Sequence, residues 1–314
     1  MTPQETVVAL AKHIRDTVRP HLGRAQARRI TGTAVSGDAT FAIDDIAEQA
    51  IVEFIDREGL SVAYYSEDKG LIEFGSSPEA VLVIDPIDGT RPAMAGFEQC
   101  VVSVAWADYT ANPTLGDVHY GCIAELKRND LFVAERGRGA AWYDDQGERR
   151  PVSLLAIDEP SMVPLSFELA GRPMEYVAPV LSGIVDRAGI KGGCFLFNST
   201  AYSLTRLLTG QLAAVLDVGP RILQDQPATR ERFVEIGGGK AIGIFTYDIA
   251  AAALIAEEAG AAVTDASGRS FKKVPLLDTS EGNLQSLCAA SNSRLHAELL
   301  NIVQSGMDRL RGRV

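Results

Sequence analysis

The sequence has few of the residues that build disulfide frameworks and zinc sites, and it has no long apolar run. Only four cysteines and four histidines occur among 314 residues. The cysteines lack the paired spacing of a zinc site, and Cys100, Cys122 and Cys288 lie in apolar runs typical of reduced core thiols. No apolar stretch reaches about 18 residues, the length that a membrane span needs. Because no secretory signal is evident either, the cytoplasm is the expected compartment.

Positive charge is also scarce. The chain has 30 Lys and Arg against 41 Asp and Glu, for a formal net charge of −11. This balance argues against a nucleic-acid backbone as the main partner. A phosphate substrate would therefore need local positive charge from metal ions or helix ends. A composition 46% hydrophobic and 23% charged is that of a globular protein, and the length suits one large α/β domain or two closely packed halves.

The chain does contain a buried-strand pattern that runs into two carboxylates. Residues 81–84 are apolar and mostly β-branched, which predicts a buried strand. Asp85 follows, and Pro86 removes a backbone donor where the strand pairing is expected to stop. Asp88 comes next, and Gly89 permits a backbone geometry or close approach that a side chain would obstruct. A turn explains one Asp and a Gly, but two carboxylates are costly to hold together unless a cation neutralises them. The stretch therefore predicts a metal site.

An acidic turn lies just upstream of this stretch. Residues 31–33 and 36–38 are typical of a loop or hairpin edge. Residues 61–65 then predict a strand, and Glu67 follows in a polar turn. A neighbouring strand that ends in this way would bring Glu67 beside Asp85.

Two further acids stand at the starts of predicted helices. An amphipathic helix is expected from about 40 to 57, with Asp44 in its first turns beside an apolar neighbour, so that it could face inward. Residues 249–259 are strong helix formers, and Asp248 precedes them. Capping of the helix N-terminus explains an aspartate at position 248 as well as a functional site does.

The rest of the chain shows strand patterns of unequal clarity. Residues 100–143 predict a meandering sheet, without the strict alternation of strands and helices that a parallel sheet shows. Short strands are expected at 161–169, 195–197 and 242–245, whereas residues 218–240 are the least readable part.

Together the acidic motifs resemble the inositol monophosphatase family. The resemblance rests on Asp85-Pro86-Ile87-Asp88-Gly89-Thr90, on Glu67, and on Tyr247-Asp248-Ile249-Ala250-Ala251-Ala252, and it runs from about residue 40 to the C-terminus. This family belongs to the Mg-dependent, lithium-sensitive sugar and nucleotide phosphatases. The resemblance implies a layered α-β-α-β-α sandwich, of mixed α+β and α/β class, that is commonly dimeric. Residues 1–155 would form a half with the large sheet and the metal site, and residues 156–314 a half that completes the site with Asp248.

The resemblance also implies roles for individual residues. The metal ligands, for two or three Mg²⁺ ions, would be Glu67, Asp85, the backbone carbonyl of Ile87, Asp88 and Asp248. The catalytic residues would be Asp44 and Thr90, which polarise the attacking water, together with Glu67. The substrate contacts would be Asp88, Gly89, Thr90, Asn198, Ser199, Thr200 and Asp217. These residue types suit magnesium chemistry, because Mg²⁺ prefers oxygen ligands. Two such ions about 3.5–4 Å apart stabilise both the attacking and the leaving oxygen of a phosphate ester.

Three departures from the family pattern bear on the substrate. Arg91 follows the hexapeptide, where many relatives carry Thr or Lys, and Asn198 stands where Gly is usual. The segment from Asp217 to Asp248 is much longer than in simple inositol phosphatases. Its arginines, which lie within residues 218–240, would either bind a second phosphate or only lie on an extended loop.

These observations predict a Mg²⁺-dependent phosphomonoesterase acting on a small sugar or polyol phosphate, similar to inositol 1-phosphate, with no nucleic-acid or membrane partner. The alternatives within the enzyme class are a fructose-1,6-bisphosphatase and a 3′-phosphoadenosine 5′-phosphate phosphatase. Two other classes remain, a non-catalytic metal- or phosphate-binding protein and a structural dimerisation module. Substitution of Thr90, Asp44 or a metal ligand would favour the non-catalytic binding protein, and the sequence retains all of these residues.

Overall fold

The structure is a computed structural model that describes residues 1–35, 37 and 39–312. The helices of this part of the chain are α1 Pro3–Val18, α2 Ala42–Glu58, α3 Thr90–Ala95, α4 Met174–Ala188, α5 Thr200–Leu208, α6 Gly219–Asp225, α7 Arg230–Ile236, α8 Thr246–Glu258 and α9 Ser293–Arg311. The strands are β1 Ile30–Thr33, β2 Ala39–Phe41, β3 Ala63–Ser66, β4 Gly70–Glu73, β5 Ala80–Asp88, β6 Val101–Asp108, β7 Val118–Glu125, β8 Leu131–Glu135, β9 Gly139–Tyr143, β10 Arg149–Arg150, β11 Leu165–Phe167, β12 Cys194–Phe195, β13 Ala214–Asp217, β14 Ala262–Thr264 and β15 Leu287–Ala290.

Helices and sheets alternate in five layers, as the resemblance implies. The helices α1 and α2 cover one face of an eight-stranded sheet, and α8 covers the other. The helices α5 and α8 also contact a five-stranded sheet. The helix α9 covers the far side of this sheet, and α4 packs against α9. No helix of the described residues is both long and apolar enough to cross a membrane. The expected hairpin edge near residue 35 is the antiparallel pair β1–β2, although Ser36 and Asp38 of that prediction lie outside the described residues.

The large sheet has the order β10-β9-β8-β7-β6-β5-β3-β4, and its pairs are antiparallel except for β3 with β5. The predicted meander is therefore confirmed. In β5, Val81 and Val83 pack into the core on one side of the sheet, whereas Leu82 and Ile84 pack into the core on the other. Because successive side chains of a strand point to opposite faces, a strand covered on both sides needs a continuous apolar run.

The strand β5 does not stop at Pro86, contrary to the sequence prediction. Asp85 pairs with Ser103 and Asp88 with Val101, so that β5 carries one extra residue relative to β6. This irregularity is a β-bulge, which accommodates a proline that cannot donate to the ladder. Residues three apart in a regular strand point to opposite faces, and the extra residue lets Asp85 and Asp88 converge.

The five-stranded sheet has the order β12-β11-β13-β15-β14 and begins after residue 160. The strand expected at 242–245 is wrong, because Ile244 forms only an isolated bridge with Gln285 before α8 begins.

Residues 218–240 hold the short helices α6 and α7. The division of the chain near residue 155 stays a prediction, since α8 from the second half packs directly on the first sheet.

Candidate active site

The acidic residues of the two motifs converge on one cavity. Asp85, Asp88 and Asp248 each offer a carboxylate oxygen, and these atoms lie within 4.8 Å of one another. Glu67 lines the same cavity. Asp85 and Asp88 are buried, and buried carboxylates at such separations repel each other. A set of oxygen donors with this excess of negative charge fits a hard divalent cation.

The pKa values of these carboxyl groups reflect the cost of bringing them together. Burial, followed by the charges of the acidic neighbours, holds the pKa of Asp85 well above its ordinary value. Burial and then the charge of Asp88 raise the pKa of Asp248 in the same way. Burial raises the pKa of Asp88 only to about 6, because hydrogen bonds from the Ala201 N–H and the Ser199 hydroxyl stabilise its charge. The site is thus electrostatically incomplete without a counter-charge.

Asp88 connects the end of β5 to the start of α5. Its Oδ2 accepts hydrogen bonds from the Ser199 hydroxyl at 2.9 Å and from the backbone N–H of Ala201. The Ser199 Oγ also accepts from the backbone N–H of Tyr202 at 3.2 Å and caps α5. A carboxylate is favourable at this helix end, where unpaired N–H groups carry partial positive charge. This contact places residues 198–200, predicted to touch substrate, beside the acidic cluster; all three line the cavity.

Two residues beside the cluster have left-handed backbone conformations. Gly89 has φ +92°, and a Cβ at this position would lie 2.5 Å from the carbonyl oxygen of Gln99. Glycine is therefore required both for conformation and for close approach. Asn198 has φ 53°. Asparagine tolerates this conformation better than most residues other than glycine, which fits its presence at this position.

Replacing Asn198 by Val is expected to lower the free energy of unfolding by about 1–2 kcal/mol, because a β-branched side chain carries the full cost of the left-handed conformation. Asn198→Gly is the matched control and is expected to change stability by less than about 1 kcal/mol. Urea unfolding followed by circular dichroism measures both. Equal stability of the two variants would contradict this explanation.

The structure supports the two predicted water-activating residues unequally. Thr90 lines the cavity, and its Oγ1 donates a hydrogen bond to the Ile87 carbonyl at 3.2 Å. Asp44 is buried in the first turn of α2, where its Oδ2 accepts from the Phe41 N–H at 2.8 Å. The helices that carry them, α2 and α3, are in contact, but Asp44 is not among the described residues that line the cavity. The paired role of Asp44 and Thr90 stays a prediction.

A buried charged group beside the cavity was only partly predicted from the sequence. Asp217 was expected to contact a sugar ring, yet its carboxylate is fully buried and is bound by the Nε and Nη2 atoms of Arg172. Glu168 and Arg172 are among the described residues that line the cavity, whereas Asp217 is not. A buried carboxylate needs a cationic partner, and Arg172 supplies it. Contact of Asp217 with substrate stays a prediction.

Glu168 is the residue that the sequence analysis missed. Burial raises the pKa of this carboxyl to about 8, although Arg172 acts in the opposite direction. Its Oε1 is buried and has no hydrogen-bond partner among the described residues. The sequence did contain a signal for Glu168, since an acid directly after an apolar strand is the same pattern that identified Asp85.

The arginines of residues 218–240 bind partners outside the cavity. The pairs are Arg221 with Asp225 and the Ala266 carbonyl, Arg230 with Glu281, and Arg232 with Glu175 and Glu235. No described residue of this segment lines the cavity. The segment therefore does not provide cations for a second phosphate in this conformation.

Comparisons with known proteins agree with this geometry. A sequence model of the inositol monophosphatase family matches residues 3–308. The chain is 27% identical over 303 residues to a fructose-1,6-bisphosphatase/inositol-1-monophosphatase of Methanothermobacter thermautotrophicus, covering 95% of each chain. It is 28% identical over 300 residues to a protein of the same description from Thermococcus kodakarensis, covering 96% of each. The fold matches that of a Thermotoga maritima IMPase with a TM-score of 0.71 at 20% identity, over 99% of this chain and 100% of the other. The chain therefore belongs to the inositol monophosphatase family and is a phosphoric monoester hydrolase of that type.

Proposed function

We propose that this protein is a Mg²⁺-dependent phosphomonoesterase that hydrolyses a small sugar or polyol phosphate such as inositol 1-phosphate. The observation that carries the proposal is the convergence of Asp85, Asp88 and Asp248 in a cavity that Glu67 also lines. A phosphate dianion is repelled by such a cluster unless cations neutralise it. Two or three Mg²⁺ ions held there supply charge for the phosphate oxygens and lower the pKa of water.

The chain's own residues have separate roles in this proposal. The ligands are Glu67, Asp85, the Ile87 carbonyl, Asp88 and Asp248. Ser199 and the Ala201 N–H keep the Asp88 carboxylate in place through their hydrogen bonds. Gly89 lets the backbone approach the phosphate, because it has no side chain in a crowded position. Thr90 and Asp44 orient the attacking water and accept its proton.

The purified protein is expected to release phosphate from inositol 1-phosphate only in the presence of Mg²⁺. Activity should fall to background in EDTA, return with excess Mg²⁺, and decrease with millimolar lithium through occupation of one cation position. The panel also includes fructose 1,6-bisphosphate, 3′-phosphoadenosine 5′-phosphate and p-nitrophenyl phosphate, with phosphate release as the readout. If no ester of this panel is hydrolysed in a Mg²⁺-dependent manner, the enzyme proposal is wrong. Calorimetry with Mg²⁺ and phosphate then tests the non-catalytic binding alternative.

The proposal includes a homodimer in the cytoplasm. Phe97 and Leu196 are 62% and 50% exposed and line one groove beside the active site, an apolar surface that a second copy would cover. Light scattering measures the mass in solution. The four cysteines are free thiols, as suits a reducing compartment.

A further inference from the structure

We propose that Glu168 is a specificity-determining residue that hydrogen-bonds a hydroxyl group of the substrate, so that the site selects phosphate esters of sugars or polyols over esters that lack hydroxyl groups. This inference rests on the phosphatase function proposed above and defines its substrate class.

The backbone and surroundings of Glu168 hold it in a defined position. It follows β11 directly, and its backbone N–H donates to the Leu216 carbonyl of β13 at 3.0 Å. The residue is 5% exposed and lines the same cavity as Asp85 and Asp248. Glu168 is thus held at the end of β11, in the same cavity as the acidic cluster that would hold the cations.

The carboxyl group of Glu168 lacks a partner within the protein. Its Oε1 is buried without a hydrogen bond to any described residue. Leaving such a polar atom unsatisfied costs about 1–3 kcal/mol, so native structures keep few of them without a bound water or ligand. Arg172 lies close by but donates to both oxygens of Asp217 and to the carbonyl of Ala170. Because Glu168 also lines the cavity, its carboxyl group is one that a polar group entering the cavity would meet.

A hydroxyl group is the best chemical match for this position. A hydroxyl both donates and accepts, so it pairs with the Glu168 carboxyl whether or not that group carries a proton. A group that only accepts, such as a phosphate oxygen, pairs with this carboxyl only when the carboxyl is protonated.

The test compares two substrates that share the phosphate ester but differ in hydroxyl groups. Glu168→Ala is expected to raise KM for inositol 1-phosphate about tenfold and to leave kcat within about twofold, because one hydrogen bond of substrate binding is lost. The kcat/KM for p-nitrophenyl phosphate, which has no hydroxyl group, should stay within about twofold. Glu168→Gln keeps an acceptor and a donor and should restore most of the affinity. Glu175→Ala, on the exposed surface of α4, is the control.

The outcomes separate this inference from the phosphatase function itself. If the wild-type protein hydrolyses neither ester with Mg²⁺, the proposed function fails. If it hydrolyses both, but Glu168→Ala changes the two KM values equally or not at all, the specificity role is overturned. If Glu168→Ala does not fold, deoxy analogues of inositol 1-phosphate are used with the wild-type protein. One missing hydroxyl should then raise KM about tenfold, and no effect at any position contradicts the proposal.

Discussion

Replacing Asp88 by Asn is expected to lower kcat for phosphate esters by at least about 10³-fold, equivalent to about 4 kcal/mol of transition-state stabilisation. A carboxylate oxygen of Asp88 lies within 4.8 Å of those of Asp85 and Asp248, so its charge acts on any cation that this cluster binds. An amide retains an oxygen but loses the charge that binds a divalent cation. Steady-state kinetics at saturating Mg²⁺ measures the loss.

The fold should survive this substitution. Asn at position 88 retains an oxygen that accepts from the Ser199 hydroxyl and from the Ala201 N–H. Removing one of several like charges also reduces repulsion, so the Tm in EDTA is expected to equal or exceed that of the wild-type protein. The wild-type Tm should rise with Mg²⁺, and that of the variant should rise less.

Asp186→Asn, on an exposed turn of α4, provides the control for this experiment, since it makes the same chemical change outside the cavity. Its activity and Tm should match those of the wild-type protein. Near-normal turnover in Asp88→Asn would refute the assignment of the acidic cluster as the cation site.

Replacing Arg172 by Met is expected to lower the free energy of unfolding by about 3–5 kcal/mol, the usual cost of leaving one member of a buried ion pair without its partner. The side chains of Arg172 and Asp217 are 6% and 0% exposed. The Asp217 carboxylate would then keep only local contacts, such as the Gly219 N–H at 2.9 Å, and would remain near the buried Glu168. The midpoint of urea unfolding measures the change.

Two further variants separate the charge effect from loss of packing. Arg232→Met removes an arginine whose ion pair with Glu175 is exposed, and it should cost less than about 1 kcal/mol. Arg172→Met combined with Asp217→Asn removes the uncompensated charge while retaining an acceptor. The double variant should regain at least half of the lost stability. If it is no more stable than Arg172→Met, packing rather than charge explains the cost.

Much of the fold was predictable because its signals are local. The continuous apolar run at residues 81–84 predicted a strand buried on both faces, and β5 packs into both cores. The alanine-rich run after Asp248 predicted α8. The strand expected at residues 242–245 was wrong, because an apolar run alone does not specify whether a neighbouring strand has room to pair with it. The bulge between Asp85 and Asp88 was missed because register depends on both strands of the pair.

The sequence by itself determined which carboxylates form the acidic cluster. Asp85 and Asp88 follow an apolar strand and Asp248 begins a helix, so their positions depend on short-range patterns and on the motifs that carry the family resemblance. Only the tertiary structure decided that Glu168 and Arg172 line the same cavity. The partner of Arg172 lies 45 residues away, and the hydrogen-bonding state of Glu168 depends on that pairing. Long-range ion pairs depend on which side chains the packed sheets bring together, and a local pattern does not contain that information.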